Sequence, residues 1–165
     1  MMKKILTAAI AALLLVSLAS CAFAATGIGS TTTVTSTPAT AEAAAKVSVT
    51  TTMCAVTLDE NGVIVGIQFD AVQPKSDWEN ATVEPQTKKE LKEGYGMKKA
   101  SAIGKEWYEQ AEALEAWCIG KTVEQVLAMG VNESGYPTDA DVTAGCTMGV
   151  SGYLAALEKA AAAAK

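Results

Sequence analysis

Seven residues near the C-terminal end, Asp141-Val142-Thr143-Ala144-Gly145-Cys146-Thr147, gather the side chains of this 165-residue chain that best suit covalent chemistry. A Thr hydroxyl is a weak nucleophile, so a reaction at Thr147 needs an external enzyme to activate it. Gly145, two residues earlier, permits the tight backbone that such an enzyme could grip. The Ala-rich stretch from Ser151 to Lys165, with Leu154 and Leu157, has strong helix propensity. Its N-terminus would offer free N–H groups and a positive dipole end to a phosphate beside Thr147. A plainer reading needs no chemistry: Thr147 or Ser151 caps the following helix, and Gly145 makes a turn.

Composition removes several alternatives. The chain has no His, which excludes His-based triads, c-type haem attachment and most transition-metal sites. All 13 basic residues are Lys, so no guanidinium fork can clamp a phosphate or carboxylate. A bound phosphate must then be held by backbone N–H groups, by Lys, or covalently. The net charge of −5 argues against nucleic acid as a partner. Beyond Cys21 stand Cys54, Cys118 and Cys146, whose spacings match no zinc pattern. Cys54 and Cys118 read as small buried hydrophobes, with pairing left open and at least one of the three thiols free. Asp139 and Asp141 share a loop, but no second acidic pair supports hydrolysis.

The segment from Asp141 to Thr147 resembles the attachment motif of the FMN-binding domain family, Asp-x-x-(Ser/Thr/Ala)-Gly-Ala-Thr. That family occurs in exported lipoproteins and in membrane subunits of ion-pumping redox complexes. There a flavin transferase esterifies the final Thr hydroxyl with the phosphate of FMN. The resemblance implies FMN covalently held through Thr147, with Asp141, Gly145 and Cys146 in the cofactor-binding segment. Cys146 stands where the family usually has Ala, Ala144 replaces the commoner Ser or Thr, and Met148-Gly149 replaces a hydroxyl-rich continuation. The resemblance also implies partners: a flavin transferase and membrane redox proteins.

A flavin ring is flat and apolar, and aromatic side chains suit its faces. Tyr95, between Gly94 and Gly96, and Tyr136, next to Pro137, fall in loop sequence and are candidate ring contacts. Trp107 and Trp117 lie on or near an apolar helical stripe, where core packing is the simpler role. Lys88, Lys89, Lys92, Lys98 and Lys99 form a basic run that reads as a solvated face, or more sharply as a patch for anionic lipid headgroups.

The elements that must carry these residues follow from periodicity. Lys46 to Val72 reads as a β-hairpin, with Val47, Val49, Thr51 and Met53 alternating in one arm. Val63, Val65, Ile67 and Phe69 alternate in the other. Asp59-Glu60-Asn61-Gly62 between them contains the Asn-Gly turn signal. Residues 73–96 are polar, with a short helix expected near Lys88 to Glu93. Ile103, Trp107, Ala111, Leu114 and Cys118 give helical spacing over Ser101 to Cys118. Thr122-x-x-Gln125 resembles a capping box opening a helix from Val123 to Met129. The order predicts an α+β fold: a small antiparallel sheet built on the hairpin at about 46–72, with helices packed on one face.

Ahead of this domain, Lys3 and Lys4 precede an uncharged apolar run from Ile5 to Leu18. The run is too short to span a bilayer core of about 30 Å and fits a signal peptide. Leu18-Ala19-Ser20-Cys21 resembles a bacterial lipobox, which predicts lipidation at Cys21 and a membrane anchor on the outer side of the cell; cleavage after Ala24 would instead release the chain. The expected organisation is a signal peptide at 1–20, a Thr/Ser/Ala-rich flexible tether at 21–45, and an FMN-binding-like domain at 46–165. Two functions fit: a covalent flavin electron carrier outside the cytoplasm, or a cofactor-free surface binding or structural lipoprotein that keeps only the fold.

Overall fold

The computed structural model describes residues 24–74 and 86–165. The signal peptide expected at 1–20 and the expected lipidation site Cys21 lie outside the described residues. Three antiparallel strands, β1 (Ala25–Thr37), β2 (Lys46–Leu58) and β3 (Ile64–Val72), form one sheet in the order β1-β2-β3. The helices are α1 (Lys88–Leu91), α2 (Trp107–Cys118), α3 (Val123–Leu127), α4 (Ala140–Thr143) and α5 (Ser151–Ala163), with a 3₁₀ turn at Lys92–Tyr95. The fold is α+β, a small antiparallel sheet with helices on one face.

The hairpin forms where the Asn-Gly signal places it. Gly62 takes φ 74°, and Asp59 Oδ1 accepts from the backbone N–H groups of Asn61 and Val63. Alternation does not hold through both arms. In β2 the inward residues are Thr52, Cys54 and Val56, not the Val47-to-Met53 set. In β3 Phe69 and Ala71 are buried, yet Ile64 is fully buried and Val65 is 52% exposed. Thr57 pairs with Gly66 and Leu58 with Ile64, so Val65 is the extra residue of a bulge that reverses the faces.

The tether expected at 21–45 is corrected by β1, which pairs with β2 along its whole length from Ala25↔Leu58 to Thr37↔Lys46. The ordered sheet therefore begins at Ala25, not at residue 46. The segment is poor in large apolar residues, and this strand packs by being small. A Cβ on Gly27 would sit 1.9 Å from the carbonyl oxygen of Ala160, and one on Gly29 would sit 2.3 Å from that of Ala156. The backbones of β1 and α5 thus touch, with Ala156 and Ala160 completely buried. Thr residues beyond the glycines supply β-branched strand formers, and Thr32 and Thr51 share a cross-strand hydrogen bond of 3.0 Å.

The core lies between the inner sheet face and α2 and α5, with Phe69, Ile64, Leu114, Leu157, Val56, Val126 and Val150 buried. Helix α2 starts at Trp107 rather than Ser101. Residues 101–105 instead make turns, with Gly104 at φ 63° and Ser101 Oγ accepting from the N–H of Lys105. Glu106 caps α2 and exchanges a capping box with Glu109. The Thr122–Gln125 capping box opens α3, as its spacing predicts, and Thr87 with Glu90 opens α1 in the same way. Among the described residues no helix is long and apolar enough to cross a membrane.

Candidate functional site

Thr147 lies in the turn between α4 and α5, three residues before the N-cap of α5. That N-cap is Val150, which has no side-chain capping bond, so neither Thr147 nor Ser151 serves as the helix cap. Thr147 is held from the other side. Its backbone N–H and its hydroxyl both donate to Gln110 Oε1, at 2.9 and 3.2 Å. Gln110 is fully buried in α2, and its Nε2 donates to Ser101 Oγ at 3.0 Å and to the carbonyl of Lys105 at 3.2 Å. One amide therefore ties the Thr147 turn to the 101–105 loop, and every polar atom of that amide is used.

Thr147 opens onto a cleft of about 370 Å³, within the range of roughly 300–1,000 Å³ that small ligands occupy. Met148, Gly149, Tyr95, Tyr136, Trp107 and Tyr153 line it with Thr147, and Lys88 and the 100–102 loop complete the wall. Tyr153 and Trp107 are rigidly set: Trp107 Nε1 donates to the Tyr153 hydroxyl at 3.1 Å, and the Phe69 ring meets Tyr153 edge-on at 5.5 Å. Burial pushes the Tyr153 hydroxyl well above its ordinary pKa, so it remains protonated at neutral pH.

The rest of the predicted segment serves the turn rather than the cleft. Gly145 packs against α2, where a Cβ would come within 2.8 Å of the Ala113 Cβ. Cys146 is completely buried, and burial raises its thiol pKa above the ordinary 9.0. Asp141 is exposed on α4, outside the cleft lining. The four candidate residues lie within one seven-residue segment, but only Thr147 reaches the cleft. Cys54, Cys118 and Cys146 are all free and buried. Among the described residues no cluster of three or more potential ligands could hold a metal.

Tyr95 and Tyr136, the expected ring contacts, do line the cleft. Trp107 does so as well, although its stripe pointed to core packing; it is buried and also forms a wall. Tyr153 had no signal in the sequence, because its position in the Ala-rich helix looks like any other. The basic run does not form one solvated patch. Lys88 is 8% exposed, and Lys89 pairs with Glu115 at 2.6 Å while Lys92, Lys98 and Lys99 are exposed. Glu115 also accepts the Phe69 N–H at 2.6 Å, which closes part of the free edge of β3.

No family model matches the chain, and no solved structure matches it. A chlorophenol reductase from Desulfitobacterium hafniense is 34% identical over 93 aligned residues. The alignment covers 46% of this chain and 28% of that protein, so the chain spans little more than a quarter of this relative's length.

Proposed function

We propose that this protein is an exported, membrane-anchored electron carrier with FMN esterified through Thr147. The observation that carries the reading is the position of Thr147: the last residue of a flavinylation-like segment opens onto an aromatic cleft of ligand size. The residues present fit the cofactor. A hydroxyl stands at the rim for the phosphate, and four aromatic side chains, Tyr95, Trp107, Tyr136 and Tyr153, offer flat apolar contact. FMN, once attached, would supply reversible electron uptake, and the chain would position and tune it. Gln110 holds the Thr147 turn so that its hydroxyl is presented at a fixed place. Asp141, exposed ahead of the turn, is available to a flavin transferase. A relative named for a reduction is in keeping with a redox role. Cys21, in its lipobox-like context, would supply the anchor.

In-gel flavin fluorescence after denaturation tests this reading. The protein is co-expressed with a flavin transferase and compared with Thr147→Ala, with a known flavinylated domain labelled in parallel. The expected result is a fluorescent band for the wild type and complete loss in Thr147→Ala. An unlabelled, folded wild type beside a labelled control would overturn the proposal and leave a cofactor-free binding lipoprotein.

A further inference from the structure

Lys88 is the one lysine among the described residues that is more than nine-tenths buried, and its position has a structural cause. Helix α1 is fastened to the end of β3: Thr87 bridges to Val72, and the Lys89 N–H donates to Asp70 Oδ1 at 3.2 Å. The capping box of Thr87 and Glu90 sets the first turn. Lys89 is thereby directed to Glu115, and Lys88 is directed inward to the cleft that Thr147 also lines. Its Nζ stands 4.6 Å from the Tyr95 ring centroid and 5.6 Å from that of Trp107.

Among the described residues the ammonium has no hydrogen bond and no ion pair. The acids on neighbouring elements are engaged elsewhere. Glu106 accepts from the Met97 N–H, Glu115 from Lys89, Glu93 from the Tyr108 hydroxyl, and Asp70 from the Ala71 and Lys89 N–H groups. The stem of Lys88 is covered while its ammonium opens on the cleft, since among the described residues no buried side-chain nitrogen or oxygen lacks a hydrogen-bond partner. A negative charge placed in the cleft would complete the site.

We infer that Lys88 is the residue that receives the negative charge of a reduced flavin ring, and so sets its reduction potential. This rests on the flavin reading above. Uptake of two electrons from a donor such as dithionite and of one proton from water leaves a flavin ring with one negative charge. An ammonium held over Tyr95 and Trp107 at the cleft favours that state over the neutral oxidised ring by direct charge attraction. Lys88 acts by charge, so Arg replaces it and Met does not.

The experiment is a dye-equilibrated dithionite titration of the flavinylated wild type, Lys88→Arg and Lys88→Met. Lys88→Met is expected to lower the equilibrium constant for reduction at least tenfold, a shift of about 30 mV to more negative potential for a two-electron couple. Lys88→Arg is expected to stay near the wild type. The wild type alone supplies a second readout, independent of any variant's folding. Its potential should keep the two-electron, one-proton slope of about 30 mV per pH unit to lower pH than free FMN does under the same conditions. A Lys88→Met potential equal to the wild type, or a wild-type slope that changes at the pH where free FMN changes, overturns the role of Lys88 and leaves the flavin reading intact. A wild type without flavin removes both.

Discussion

The three buried thiols carry a consequence at the scale of single residues. Burial pushes Cys54 from the ordinary 9.0 to about 12, with Cys118 and Glu115 adding to the rise. Cys118 is likewise pushed to about 12 by burial, against a partial lowering by Lys121. Both therefore remain protonated in the folded protein where an unfolded chain would ionise. A raised folded pKa means that the unfolded state binds fewer protons between the two values, so stability falls as pH rises. Urea midpoints are expected to hold steady up to about pH 9 and to decline towards pH 12, and a Cys54→Ala, Cys118→Ala double variant should decline less steeply over that window. A wild-type midpoint that is flat through pH 11 would contradict the burial argument. The burial of Cys54 and Cys118 was legible in the sequence, because residue type alone argues for it. The order of residues around Thr147 marks it only as a candidate. The inward turn of Lys88 was not legible, since nothing in a run of lysines says which one a helix of four residues will turn inward. Gln110 was missed for a related reason: a Gln on a helix gives no sign that a turn 37 residues away will need its oxygen.

Strand β1 and helix α5 belong together at the scale of elements. Each is weak by itself: an edge strand with Gly27 and Gly29, and a helix with few large side chains. Gly in a strand costs conformational entropy, and the compensation here is close backbone approach over Ala156 and Ala160. Overpacking typically costs about 1–3 kcal/mol when neighbours can shift. The neighbours here are helix carbonyls, so Gly29→Val is expected to destabilise by about 3 kcal/mol or more. Gly66→Ala, whose new Cβ would meet Thr57 at an ordinary 3.5 Å, should stay within about 0.5 kcal/mol of wild type. Chemical denaturation of the two variants checks the contrast, and equal effects would sink the close-packing account. The elements with strong local signals were all legible in the sequence: the Asn-Gly turn, the Thr122–Gln125 capping box, and the apolar stripe of α2. Strand β1 was not, because a segment of Gly, Thr and Ser has the composition of a linker. Only the Ala face of α5, more than 100 residues later, turns that composition into a fit. The bulge at Val65 hid the true faces of the hairpin in a similar way, since one extra residue reverses every side chain beyond it.

For the whole molecule, the start of the folded unit decides how it would sit on a membrane. If Cys21 carries the proposed lipid, three residues separate it from Ala25, and a fully extended chain over those four steps reaches no more than about 14 Å. The domain would then rest against the bilayer rather than stand off on a tether. That geometry depends on β1 being an integral strand, which a truncation tests directly. A chain beginning at residue 46 keeps β2, β3 and the five helices of the described residues but leaves the Ala156 and Ala160 face of α5 uncovered. It also leaves the hairpin as a two-stranded ribbon, which is marginal in water. Residues 24–165 are expected to unfold in one cooperative transition followed by far-ultraviolet circular dichroism, and residues 46–165 to lack that transition or to show it at much lower urea. Cooperative unfolding of 46–165 at the same urea concentration would mean that β1 is dispensable, and the segment before residue 46 could then act as a tether after all. Loss of the transition would make β1 part of the core and bring any lipid at Cys21 into close range of the sheet edge.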